Sequence, residues 1–308
     1  MVPRIAHREG SGVGHARTIN HRVKSLPSGA PEFILVLMFV PIPSSDLAPG
    51  DGKSAALDLT QFDFASIRSV DDPLFEFAYA RLWEEFGAKD EMELRETLAG
   101  RIRLAPRILY EMVLVRRGGL FVAVRDHTAI LTRDGAHAVV HLSHVVVAPL
   151  TRRTGLTGWL RALPIATARE FLARHHAPPG AHITLLAEME YPQPDDPSRM
   201  IRLQAYERAG FRKIDPGFIR YYQPDFRAPH VIDATGGLRP LPFQLIVRRV
   251  GREHERVISG AETRQLVEAL YDIYSAQFRP ADLLHPRLSL DSYPHDSAMI
   301  PLLPPTQC

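Results

Sequence analysis

An α+β fold is predicted by the order in which two patterns alternate along this chain. Strand-like runs rich in β-branched residues fall at 62–70, 108–115, 120–124, 138–147, 182–189, 211–222 and 241–250, with helix-period segments between several of them. Two of the runs flank Gly118-Gly119, as an antiparallel hairpin requires. Another leads through a basic, glycine-containing turn directly into a helical segment, which places a mixed β/α half after the meander.

The elements follow in order. Residues 1–56, well supplied with Gly, Ser and Pro, are expected to form an irregular extension outside the fold. The core domain is expected over residues 57–250. After a first strand, Asp71 or Asp72 caps a helix that begins at Pro73 and buries Leu74, Phe77, Ala78 and Leu82. Gly87 stops it, and a second helix covers 91–100. The hairpin and the strand 138–147 come next. The helix beyond carries Leu160, Leu163, Ala166 and Leu172, with a kink or early break expected at Pro164. A strand at 182–189, a loop rich in Pro and Asp, and a helix at 200–209 ended by Gly210 lead to the last two strands. Residues 251–308 hold an extra C-terminal helix, 261–278, and a proline-rich tail packed on or beside the domain. Leu266, Leu270, Ile273 and Tyr274 lie on one side of that helix, suited to covering the core or to a homodimer contact.

Composition narrows the class. The 308 residues carry a net charge of +2, too balanced to argue for nucleic acid, and the 45% hydrophobic content fills a sizeable core. The one cysteine is Cys308, so an intrachain disulfide, a Cys-x-x-Cys metal site and a buried cysteine nucleophile are excluded, consistent with a cytoplasmic protein. The apolar run 33–40 is far shorter than the ~18–20 residues of a membrane span, and it lies too far from Met1 for a signal-peptide core.

The richest stretch is 141–160. A β-branched run ends at Val147, a proline follows, and Arg152, Arg153 and Thr154 precede Gly155 and Gly158 at a helix start. A strand delivers the backbone, glycines permit close approach, and the first helical turn offers unpaired N–H groups to an anion. The stretch Val147-Ala148-Pro149-Leu150-Thr151-Arg152-Arg153-Thr154-Gly155-Leu156-Thr157 resembles the V-x-P-x-x-[QR]-x-x-G-x-[GA] cofactor motif of the GNAT superfamily of acyl-CoA N-acyltransferases. It departs at Thr157, which narrows the site and adds a hydroxyl. Tyr206-Glu207-Arg208-Ala209-Gly210-Phe211 is similar to the family's second signature, Y-x-[KR]-x-G-F. Arg199 stands where many relatives have an asparagine.

The resemblance covers residues 57–250. It implies a GNAT-like α/β/α architecture: a mixed, mostly antiparallel central sheet with helices on both faces. It implies acetyl-CoA as co-substrate, held by Val145, Val147, Arg152, Arg153, Thr154, Gly155, Leu156, Thr157 and Gly158, and an amine acceptor, a small molecule or a protein amine. It implies that the strand ending at Val147 splays from its neighbour and frees N–H groups for the pantetheine amide and the thioester oxygen. Tyr206 takes the implied role of general acid toward the leaving thiolate, for which a phenol has a suitable pKa.

An ammonium has no lone pair, so a base is needed. His141 is one candidate; alternation puts it on the face of Ser143, Val145 and Val147, with His144 opposite. Glu188 and Glu190, sharing a face on the next strand, are the others, acting directly or through water. Each has a plainer reading: a packed tyrosine, satisfied histidines, solvated glutamates. Asp126, Asp195 and Asp196 are candidates to attract a cationic acceptor. Two readings stand beside acetyl transfer: an autoinducer-synthase-like acyltransferase and a CoA-binding module without catalysis.

Other motifs fail. Gly52-Lys53-Ser54 lacks the P-loop's leading glycine, since Leu47 holds that place. His254-Glu255 lacks a second zinc-ligating histidine, since Ile258 stands there. Gly10, Gly12 and Gly14 follow no strand. No metal-ligand spacing is present, and no metal is expected.

Overall fold

The computed structural model describes residues 42–283 and 293–307. The run 33–40, the Gly10–Gly14 stretch and part of the proline-rich tail lie outside the described residues. In chain order the elements are α1 (Gly52–Ala55), β1 (Asp63–Ile67), α2 (Phe75–Phe86), α3 (Arg95–Ile102), β2 (Ile108–Arg117), β3 (Leu120–Leu131), β4 (Ala138–Val147), α4 (Leu156–Arg174), β5 (Ile183–Met189), α5 (Pro197–Arg208), β6 (Arg212–Ile214), β7 (Tyr221–Gln223), α6 (Pro229–Ala234), β8 (Leu241–Arg249), β9 (Val257–Ser259), α7 (Gly260–Ser275) and β10 (Met299–Leu303). The strands form one sheet in the order β1-β2-β3-β4-β5-β8-β6-β10-β9, with β7 also paired to β8. Among the described strands only β4 and β5 pair in parallel; the other pairings are antiparallel. This is the expected mixed, mostly antiparallel sheet.

Both faces are covered. β2 is buried at eight successive positions, which needs apolar cover on either side. On one face α4 and α5 supply Ile165, Ala168, Phe171 and Leu203 against Val140, Leu142, Leu185 and Ala187. On the other, α2 and α3 pack Phe75, Ala78, Leu82 and Leu98 on Tyr110, Met112 and Leu114. α7 lays Leu266, Leu270, Ile273 and Tyr274 on the sheet beside them, so that side of α7 covers the core and is not free for a partner. Local signals start and stop these helices. Asp72 accepts from the Leu74 N–H at 2.8 Å ahead of α2, and Asp196 accepts from the Ser198 N–H at 3.0 Å at the start of α5.

Several expectations are corrected. Residues 42–56 do not lie outside the fold: Ala48 is in the core, Asp46 makes a two-pronged ion pair with Arg169, and the Arg248 guanidinium donates to the Asp46 carbonyl. Pro164 does not break its helix, which runs uninterrupted from Leu156 to Arg174. Proline forfeits one backbone bond there, but Pro164 is buried like Leu160, Ile165 and Ala168 on the same helix, and packing outweighs the loss. The run 120–124 extends to Leu131, and 211–222 divides into β6 and β7. The proline-rich tail does more than pack beside the domain: β10 enters the sheet between β6 and β9. No helix among the described residues is long and apolar enough to cross a membrane.

Candidate active site

β4 sets the geometry. Its parallel pairing with β5 runs from Ala138↔Ile183 to His141↔Leu186 and stops, although both strands continue, to Val147 and Met189. Beyond His141 the two strands part, and the edge of β4 that faces away from β3 has no strand partner among the described residues. A bulge accompanies the parting. Arg125 pairs with Val145 and His127 with Leu142, so three steps on β4 oppose two on β3. The extra residue reverses the alternation. His141 and His144 therefore share the face of Val139 and Val146, whereas Leu142, Val145 and Val147 pack toward α4. The expectation that His141 sits with Val145 and Val147, opposite His144, is overturned by this single inserted residue.

A cleft of about 200 Å³ opens at the parting. His141, Ser143, His144 and Val145 of β4, Glu188 and Glu190 at the end of β5, Thr157 and Arg161 of α4, and Arg202 and Tyr206 of α5 line it, with Phe86, Phe226, Phe243 and Tyr274 as aromatic walls.

Glu188 is the hub. Its carboxylate is 2.9 Å from His141 Nε2 and accepts from the Tyr221 hydroxyl at 2.5 Å and the Tyr274 hydroxyl at 2.8 Å. Gln223 Nε2 donates from 3.4 Å. Burial opposes ionisation, but these donors, His141 first among them, outweigh it and hold the carboxyl below its ordinary range. Burial, and then the Glu188 charge, drive both phenols well above the tyrosine range, so they remain donors. A carboxylate can only accept, so Nε2 carries the proton and the lone pair of His141 is on Nδ1, with Ser143 Oγ 3.4 Å away.

The other acid–base candidates are engaged. Glu190 is bound to Arg202 at 2.5 Å and Arg199 at 3.3 Å, and Arg199 also reaches Asp196 at 3.2 Å. His144 donates from Nδ1 to Asp126 at 3.1 Å and from Nε2 to the Glu91 carbonyl at 2.9 Å. Burial works against a charge on it, but the Asp126 carboxylate prevails and raises its pKa to about 9. With both nitrogens donating, His144 is a cation and not a base. Asp126 is fully buried in that pair, so it is not available to attract an acceptor.

Tyr206 is placed by the end of its helix. The Phe211 N–H bonds to the Tyr206 carbonyl at 3.1 Å and the Gly210 N–H to the Glu207 carbonyl at 3.0 Å, with Gly210 at φ 82°. This closing motif turns Phe211 back so that its ring meets Tyr206 edge-on at 4.9 Å. The other side of the Tyr206 ring faces the Arg161 guanidinium at 5.7 Å.

The basic turn is more divided than expected. Thr157 and Val145 line the cleft. Arg152, Arg153 and Thr154 are exposed, and Arg152 Nε donates to the Val147 carbonyl at 3.1 Å. The side chains of Val147 and Leu156 belong to the core around Trp159. Gly155, at φ 101°, and Gly158 make room for the chain itself: a Cβ on Gly155 would strike the Lys53 carbonyl, and one on Gly158 would strike Ser54 and Asp51. Ser54 Oγ donates to the Gly155 carbonyl at 2.7 Å, and Arg161 pairs with Asp51 at 2.8 Å. On one wall of the inner cleft runs the β4 edge that no described strand pairs with. The glycine cradle at its outer end holds residues 51–54.

Tyr221, Gln223, Tyr274, Glu91 and Arg161 were missed from sequence. Tyr274 had one visible sign, its place on the apolar stripe of α7, and that sign pointed only to packing. Among the described residues no cluster of metal-ligating side chains is present.

No family model and no curated protein matches the chain. Among solved structures it is similar to a protein from Bacteroides thetaiotaomicron ascribed to the GNAT acetyltransferases, at 19% identity over 60% of this chain and 85% of that one, with a TM-score of 0.40. It is similar to a GNAT-family acetyltransferase from Elizabethkingia anophelis with acetyl-CoA bound, at 13% identity over 61% and 98%, TM-score 0.37. A further similarity is to an aminoglycoside 6'-N-acetyltransferase complexed with coenzyme A, at 12% identity over 61% and 96%, TM-score 0.35.

Proposed function

We propose that this protein is a GNAT-type acyl-CoA N-acyltransferase that moves an acetyl group from acetyl-CoA to an amine by direct attack. The observation that carries the reading is the convergence of the His141–Glu188 pair and Tyr206 on one cleft, where β4 and β5 part. In this reading His141 Nδ1 takes a proton from the acceptor, and Glu188 holds the ring and balances the imidazolium. The amine nitrogen bonds to the thioester carbon, and the free edge of β4 supplies N–H groups to the oxyanion. The C–S bond then breaks, and Tyr206 protonates the departing thiolate. Over the reaction an ammonium nitrogen gives up two protons; one ends on the thiol and one goes to solvent. No covalent enzyme intermediate is needed, so the lack of a suitable cysteine is no obstacle.

Thr157, in place of the motif's Gly or Ala, and Arg199, in place of an asparagine, favour a second reading, a CoA-binding module without turnover. Thiol release from acetyl-CoA with a broad amine panel, alongside calorimetry with CoA, separates the two. Release above the amine-free rate supports the enzyme. Tight CoA binding with no release under any amine supports the module.

A further inference from the structure

The acceptor end of the cleft has a chemistry of its own. Around His141 and His144 the walls are aromatic: Tyr274 meets His141 edge-on at 6.3 Å, Phe86 lies 4.8 Å from His144, and Phe226 packs on Tyr274 at 5.8 Å. Most polar groups there are already committed to one another. Glu188 is saturated by four donors, His144 by Asp126 and the Glu91 carbonyl, and the buried Glu93 by Arg101. Besides His141 Nδ1, two acceptors are left over. Gln223 is 7% exposed, and with Nε2 turned to Glu188 its Oε1 has no hydrogen-bond partner. Glu91 lines the same cleft, half-buried, and no hydrogen bond or ion pair among the described residues holds its carboxylate. Burial, and then the nearby Glu190, push its carboxyl up, while Lys89, Arg202 and His144 relieve it only at a distance. A buried acceptor without a donor and a carboxylate crowded by another are both costly, and a ligand bearing N–H groups and positive charge relieves both. A polyhydroxylated ligand gains less here, because two acceptors serve few of its hydroxyls and the rings of Phe86, Phe226 and Phe243 offer the rest nothing.

Resting on the acyltransferase reading, we propose that the acceptor is a primary amine, cationic in water, carried on an apolar body of aromatic size, with Gln223 Oε1 receiving an N–H and Glu91 receiving the charge. The rings of Phe86, Phe226 and Phe243 take the apolar body, and the ammonium then meets His141. Calorimetry with 2-phenylethylamine on the full chain saturated with CoA, which carries no acyl group to transfer, reads binding apart from chemistry. Wild type is expected to bind 2-phenylethylamine at least tenfold more tightly than glucosamine. Glu91→Gln is expected to weaken that binding about tenfold, and Gln223→Met severalfold, with CoA affinity unchanged as the control for folding. Equal affinity for the two amines, or an unaltered Kd in both variants, overturns the proposal. If thiol is nonetheless released with another amine, acyl transfer stands without it. Absence of both CoA binding and thiol release overturns acyl transfer and, with it, this assignment of the acceptor.

Discussion

His141 Nε2 and Glu188 Oε2 stand 2.9 Å apart where the pairing of β4 and β5 ends, Glu188 lying two residues beyond the last rung, and this contact decides which imidazole nitrogen is free. Replacing the carboxylate by an amide lets the side chain donate to Nε2 as well as accept, which moves the ring proton to Nδ1 and removes the lone pair from the cleft. Glu188→Gln is therefore expected to lower the single-turnover rate by about 10²-fold, the lower range for lost acid–base assistance, with little effect on CoA affinity. An unchanged rate and pH profile would show that Glu188 serves only the core. His141→Ala tests the base itself and is expected to remove the rising limb of the profile that Glu190→Gln retains.

Tyr206 offers a second test. A phenylalanine in its place would keep the edge-on contact with Phe211 and the contact with the Arg161 guanidinium, so Tyr206→Phe removes little packing but takes away the hydroxyl that hydrogen-bonds to the buried Arg125. Turnover is expected to fall by about 10²-fold, and stability to urea by about 1–3 kcal/mol for the buried donor left unpaired, with CoA affinity retained. A mutant that matches wild type in the chemical step would make Tyr206 structural.

These two predictions rest on parts of the molecule that were legible in the sequence for physical reasons. The Tyr206–Gly210–Phe211 spacing encodes a helix end, because one glycine in a left-handed conformation fixes where the tyrosine sits relative to the following strand. The strand, basic turn and helix start at 138–160 were legible for a like reason, whereas the helix's continuation past Pro164 was not. The face of His141 was not, because strict alternation fails at a bulge and no residue type in 141–147 advertises one. Asp126 read as a loop acid because β3 carries charge in its middle, which only the partners His144 and Tyr110 make tolerable. Tail residues 299–303 were opaque because strand β10 is short and includes Pro301, and its pairing with β6 depends on residues far back in the chain, Lys213 and Ile214.

The buried His144–Asp126 pair has its own pH signature. His144 has an ordinary pKa near 6.5 when unfolded and about 9 when folded, so its stabilisation is full below about pH 6.5 and is lost as pH rises through 9. Asp126 is held well below its unfolded value near 3.9, so its contribution is present above that pH and is lost on acidification. Urea unfolding should show a plateau at mildly acidic pH and a decline between about pH 7 and 10. Asp126→Asn should be less stable on the plateau and should lose the alkaline decline. A decline of the same slope in that variant would assign it to other groups.

The contact of residues 51–54 with the start of α4 carries the last expectation. An alanine at 158 places a methyl against Ser54 and Asp51, where the helix backbone cannot yield, so the neighbouring segment must move. Gly158→Ala is expected to cost about 1–3 kcal/mol in urea unfolding, the usual range for overpacking. Ser54→Gly removes the hydroxyl that crowds Gly158 and bonds to the Gly155 carbonyl, so combining it with Gly158→Ala should recover part of the loss. The same pair informs cofactor access. If a nucleotide phosphate enters the Gly155 cradle, residues 51–54 must first leave it, and any change that loosens them removes part of that cost. Gly158→Ala should then bind CoA more tightly than wild type despite its lower stability, whereas Asp51→Ala should also tighten binding by freeing Arg161 for the phosphates. Weaker CoA binding in both variants would mean that the segment supports the cofactor site from outside and does not occupy it.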